Sequence, residues 1–179
     1  MAAVVLLLRG INVGGANRLA MADLRALLDD LGHPGARTLL QSGNVVVDAA
    51  DPPAAVARVL EEGLAARFAL DVTVVGRTAA ELAAVVEADP LAPVANDPKR
   101  RLVGFLTGDP DPAALAAVDA DALAPEAFAV RGREIHAWCP GGIHRSPLLK
   151  ALSDRRLGVA VTWRNWSTVT RLHELAGGG

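Results

Sequence analysis

The order of hydrophobic periodicities constrains this chain most, because the chain runs through one series of elements twice. Near the start, "AVVLLLR" is an unbroken apolar run of strand length. Met21, Leu24, Leu27, Leu28 and Leu31 then recur at helical spacing, and Gly32 suits the left-handed end of a helix. "ARTLL" and "NVVVDA" read as two strands joined by the turn "QSGN". Asp51-Pro52 starts a helix whose apolar stripe is Val56, Val59, Leu60, Leu64 and Phe68. "DVTVV" is a strand, and Thr78 with Glu81 forms a capping box before Leu82, Val85 and Val86. After residue 100 the order returns. "RLVGFL" is a strand, and Asp111-Pro112 starts a short helix carrying Leu115 and Val118. "FAVRGREIHAWC" is a hairpin turning near Gly132, and Ser146-Pro147 starts a helix with Leu148, Leu149 and Leu152. "GVAVTW" is a strand, and Asn165 or Ser167 caps a last helix with Val169, Leu172 and Leu175.

Strand, helix, strand, strand, helix, strand is the split pattern of a ferredoxin-like sandwich. The sequence therefore predicts an α/β (α+β sandwich) fold, a tandem duplication of a ferredoxin-like β-α-β-β-α-β unit, each copy with an extra helix. The first half is expected over residues 1–89 and the second over 101–176. Between them, 90–100 reads as a linker, since "DPLAPVANDPK" holds three prolines and little periodicity. The "GGG" of residues 177–179 reads as a tail.

Composition narrows the function. Of 179 residues, 51% are hydrophobic, which supplies a core. No apolar run has the length of a membrane span, and "MAAVVLLLRGIN" carries its charge after the apolar run, unlike a signal peptide. The expected location is cytoplasmic. A net charge of −2 argues against bulk capture of nucleic acid. RNA binding on a sheet face needs aromatics on central strands, where Phe105, Phe128 and Trp138 are spread across one half. The single Cys139 excludes an internal disulfide and reads as a buried structural thiol. His33, His136, His144 and His173 form no spaced pair, so no metal site is expected, and no motif calls for a cofactor.

The polar loops are the places for a site. In a ferredoxin-like half, the loop "GINVGGANR" after the first strand and the hairpin turn "QSGN" lie at one end of the sheet. "PGGIHRSP" and "TWRNWST" leave the third and fourth strands of the second half, again at one end. This nominates Arg9, Asn12, Asn17, Arg18, Gln41, Ser42 and Asn44 as ligand contacts in the first half. In the second half it nominates Arg145, Ser146, Arg164, Asn165 and Trp166. Glycine-rich backbone, arginine charge and a helix N-terminus after Ser146 all suit a small anion, phosphate- or nucleotide-like, bound through the polar loops of the two halves. Gly10 and Gly15 have Walker-loop spacing, but Ala16 and Asn17 stand where Lys and Ser or Thr are needed. Structural readings stand beside these: glycines that permit bends, asparagines that bond their own backbone, Ser146 as a cap and indoles as core anchors. Ser42, Ser146 and His144 have no evident acidic partner, so no catalytic set emerges and enzyme status stays open. The alternative is an interaction or regulatory module without catalysis; homo-oligomerisation is undetermined.

In this order, "LRGINVGGANRLAMADLRALL", "LQSGNVVVD" and "TWRNWSTVTRL" resemble the bacterial family grouped as domain of unknown function 1697, from Val4 to about Leu175. The resemblance implies the duplicated ferredoxin-like fold and no established activity. It also implies departures here: relatives tend to carry Lys at Ala16 and Pro147, Gly at His144, and often Tyr at Leu39. The two missing lysines remove possible anion contacts and leave Arg9, Arg18, Arg145 and Arg164.

Overall fold

A computed structural model describes residues 1–177 and contains two four-stranded antiparallel sheets and seven helices. The chain divides into two compact units, Met1–Ala84 with the residues from Arg171 onward, and Val85–Thr170.

The first unit holds β1 (Ala2–Leu8), α1 (Met21–Asp30), β2 (Arg37–Leu39), β3 (Asn44–Ala49), α2 (Pro53–Phe68) and β4 (Val74–Thr78), which runs directly into α3 (Ala79–Ala88). Its sheet order is β2-β3-β1-β4, the ferredoxin-like arrangement. Strand alternation puts Val4, Leu6 and Leu8 of β1 and Val45 and Val47 of β3 on one face. That face packs against Leu24, Leu27 and Leu28 of α1 and Val56, Leu60 and Leu64 of α2. Each such side chain contributes about 1.5–3 kcal/mol on burial. Val5 and Leu7, on the other face, are also fully buried, which is why β1 reads as a continuous apolar run. At Gly76 a Cβ would lie 2.4 Å from the Pro53 carbonyl oxygen, so β4 can approach the start of α2 only with glycine there. The Thr78–Glu81 box forms as read: Thr78 N donates to Glu81 Oε2 at 2.8 Å, and Glu81 N donates to Thr78 Oγ1 at 3.0 Å.

The second unit holds β5 (Arg101–Leu106), α4 (Pro112–Ala116), β6 (Ala127–Arg131), β7 (Glu134–Trp138), α5 (Pro147–Ala151), α6 (Asp154–Leu157) and β8 (Val161–Asn165), which runs directly into α7 (Trp166–Leu175). The order β6-β7-β5-β8 repeats the first sheet. Leu102, Leu106, Ile135, Ala137, Cys139, Leu148 and Leu152 make its core. Register confirms the duplication residue by residue. Val5 is opposite Val46 and Arg77, and Val103 is opposite His136 and Arg164. Arg77 and Arg164 therefore hold equivalent places, and Thr78 and Asn165 each cap the helix that follows.

Three expectations shift. The strands read as "DVTVV" and "GVAVTW" begin pairing at Val74 and Val161, where Leu8 and Leu106 meet them, and extend to Thr78 and Asn165. The short helix α6 carries no apolar periodicity to announce it. The proline-rich 90–100 lies within the second unit, and the division falls inside α3 and α7. Leu91 and Ala95 pack with Trp138, and the Asp89 carboxylate pairs with Arg101, so this stretch is folded. Of the expected tail, Gly177 is in a turn and residues 178 and 179 lie outside the described residues. Among the described residues no helix is long and apolar enough to cross a membrane.

Candidate functional site

In the first unit, the loop after β1 is built from left-handed backbone. Gly10, Asn12, Gly14, Gly15 and Asn17 have φ of 68°, 55°, 59°, 82° and 47°. Glycine takes this conformation without a Cβ clash, and asparagine is the side chain that best tolerates it. The asparagines then brace the loop. Asn12 Nδ2 donates to the Leu19 and Gln41 carbonyls, both at 2.8 Å, and Asn12 Oδ1 accepts from Leu19 N at 2.9 Å. Asn17 Nδ2 donates to the Gly10 carbonyl at 3.2 Å. Buried Asn44 donates to the Leu39 carbonyl at 2.9 Å and to Ser42 Oγ at 3.0 Å.

Loop and hairpin turn meet, as the topology requires. Leu8 N donates to the Gly43 carbonyl at 2.8 Å. Gly43 has φ 79°, and a Cβ there would lie 2.7 Å from both Leu8 Cβ and Ile11 Cδ1. Beside this junction lies a solvent-open depression of about 540 Å³ lined by Asn12, Gly15, Arg18, Leu19, Ala20, Asp23 and Gln41. Arg18, Asp23 and Gln41 are exposed to solvent, and their side chains have no hydrogen-bond or ion-pair partner among the described residues. Ala20 occupies the N-cap of α1, and among the described residues no side chain caps that terminus. Arg9 is exposed and donates its amide to the Thr73 carbonyl at 2.9 Å, but it does not line the cavity. Asp23 escaped the sequence reading; its signal was an acidic residue in the first helical turn directly after the glycine loop.

In the second unit, β7 and β8 flank β5 and end at the same end of the sheet: Trp138 is opposite Arg101 and Asn165 is opposite Leu102. "PGGIHRSP" and α7 thus leave one end of the sheet as expected, but their nominated residues separate by face. Ser146 contacts Cys139 of the core, whereas Arg164 shares the opposite face with Val103 and His136. The anion expected at the N-terminus of α5 is a side chain of the protein. Glu126 Oε2 accepts from Leu148 N at 2.8 Å and from Ser146 Oγ at 3.1 Å. Ser146 Oγ also accepts from Leu149 N at 3.0 Å, so Ser146 is a buried cap. Burial pushes the Cys139 thiol up, which agrees with a structural thiol. Arg145 and His144 are exposed.

Asn165 Oδ1 accepts from Thr168 N at 2.9 Å and from Ser167 Oγ at 3.0 Å, so Asn165 is the cap of α7. Arg164 donates to the Trp163 carbonyl at 2.9 Å, and burial pushes its guanidinium down to about 10. Trp163 packs on the core and over Gly104. Trp166 is taken by Arg101, whose guanidinium carbon stands 3.5 Å from the ring centroid. Arg101 is buried and pairs with Asp89, and burial lowers it to about 10. His136 is fully buried 6.2 Å from the Trp166 ring, and among the described residues neither ring nitrogen has a hydrogen-bond partner. Burial first, then the charges of Arg101 and Arg131, push its pKa down to about 4. Among the described residues no group of three His, Cys, Asp or Glu side chains is placed to hold a metal.

The whole architecture has a solved counterpart. The conserved bacterial protein SP0830 from Streptococcus pneumoniae shares 25% sequence identity, with a TM-score of 0.78 over 97% of this chain and 98% of that one. No curated protein matches the chain. A family model described as "Protein of unknown function (DUF1697)" matches residues 1–136, and with most of its length inside that match the chain belongs to this family.

Proposed function

We propose that this is a cytoplasmic bacterial protein that binds a small anionic ligand, phosphate- or nucleotide-like, at the glycine loop of its first unit. One observation carries the reading: the unpartnered guanidinium of Arg18 faces a cavity of about 540 Å³ beside the uncapped N-terminus of α1. Free amides and the helix dipole favour negative charge there, and guanidinium is suited to phosphate and carboxylate. The second-unit nominees contribute less. Ser146, Asn165 and Trp166 already serve as two caps and a stacking surface.

Thermal denaturation with added phosphates, nucleotides and carboxylates tests this. A ligand at 100 times its dissociation constant adds about 2.7 kcal/mol. In a chain of this length that raises Tm by roughly 5–10 °C. Arg18→Ala should abolish the rise. If every anion leaves Tm unchanged, the reading fails.

An interaction module is the second reading, favoured by two exposed apolar side chains on the same segments. Val13 is 64% exposed, and Leu40 is 48% exposed with a left-handed φ of 61°. Here no anion shifts Tm, and Val13→Ser with Leu40→Ser lowers association, with itself or with a partner protein, measured by sedimentation. RNA binding has less support, because Trp138 is buried and Trp166 lies under Arg101.

A further inference from the structure

The cavity beside α1 is bipolar, and that restricts what it takes. Arg18 and Asp23 both line it, carry opposite charges and make no ion pair with each other or with any other described residue. Gln41 also lines it and offers a side-chain amide whose donor and acceptor have no partner among the described residues. A bare anion gains from Arg18 and is repelled by Asp23. A neutral polyol gains from Asp23 and Gln41 and leaves Arg18 unused. A single molecule matches all three when it carries a phosphate at one end and hydrogen-bond donors at the other. The depression, about 540 Å³ and open to solvent, has room for more than one phosphate group.

We infer that the ligand is a phosphate ester of a polyhydroxylated body, a sugar phosphate in kind, with its phosphate on Arg18 and its hydroxyls donating to Asp23 and Gln41. This rests on the anion reading of the same cavity. Asp23 also stands in the first turn of α1, where a carboxylate favours the helix dipole without any ligand. The test must therefore move something that helix stability does not.

Calorimetric titration of the full chain with methyl phosphate, ribose 5-phosphate and ribose supplies that readout. Ribose 5-phosphate should bind at least about tenfold tighter than methyl phosphate, one charge-assisted hydrogen bond being worth that factor. Asp23→Asn should collapse this ratio toward one, by weakening ribose 5-phosphate and strengthening methyl phosphate. Asp23→Ala should do the same, and Arg18→Ala should weaken both phosphates. If Arg18→Ala weakens both while Asp23→Asn and Asp23→Ala leave the ratio unchanged, the sugar-phosphate inference is overturned and the anion site stands. If neither phosphate binds, or Arg18→Ala changes neither, both are overturned.

Discussion

Mild acid should destabilise this protein through one residue, His136. In the folded chain its imidazole is fully buried without a hydrogen-bond partner, and its pKa falls from 6.5 to about 4. The unfolded chain therefore binds the proton first. Stability from the neutral ring is complete above the unfolded value and is lost as the pH falls from about 6.5 through about 4. The full difference corresponds to about 3 kcal/mol. Between pH 7 and pH 5 the loss is about 2 kcal/mol, or roughly 4–8 °C in Tm. Trp138, Trp163 and Trp166 all lie in the second unit with His136, so tryptophan fluorescence during urea unfolding reports on the relevant packing. His136→Leu removes the titrating group at little cost, since both ring nitrogens lack partners. Its stability should change far less between pH 7 and pH 5 than that of the unaltered chain. Equal acid slopes in the two proteins would refute the argument, and would mean that the ring is hydrated or relaxes when protonated.

Other substitutions probe the packing around both polar clusters. Gly43→Ala should cost more than about 2 kcal/mol in urea unfolding, because it adds a methyl 2.7 Å from Leu8 Cβ and Ile11 Cδ1 at a left-handed residue. Gly14→Ala, also left-handed but with open space around a Cβ, should cost about 1 kcal/mol. Asp89→Ala strips the buried Arg101 of its ion pair and should cost about 3–5 kcal/mol, whereas Asp97→Ala, at an exposed pair with Arg100, should cost under about 1 kcal/mol. Glu126→Ala removes the acceptor for Ser146 and Leu148 and should cost about 1–3 kcal/mol by the same assay.

What was legible in the sequence was local. The strand of Val4 to Leu8, the capping box of Thr78 and Glu81, the turn at Gly132 and most of the α2 stripe each depend on a short window of pattern, although in that stripe Val59 is exposed and Ala57 is buried instead. The duplication was legible because the order of such windows repeats, and that order also placed the glycine loop against Gly43. Partners from distant segments were not legible. Glu126 precedes Ser146 by 20 residues, and no motif announces that its carboxylate reaches the start of α5. Arg101 read as the polar start of a strand. It is buried because Asp89 and Trp166, from segments on either side, supply a charge and a ring face. Asn12, Asn17 and Asn44 look alike as ligand contacts or as backbone braces until the carbonyls they bond are seen. The short α6 fell below the length at which apolar periodicity shows.

Backbone amide NMR during titration with ribose 5-phosphate tests the location of the site most directly. Binding at the first-unit cavity predicts the largest shift changes at Gly14, Gly15, Ala22 and Asp23, and their loss in Arg18→Ala. Changes confined to residues 144–149 or 163–167, with the glycine loop unmoved, would contradict it.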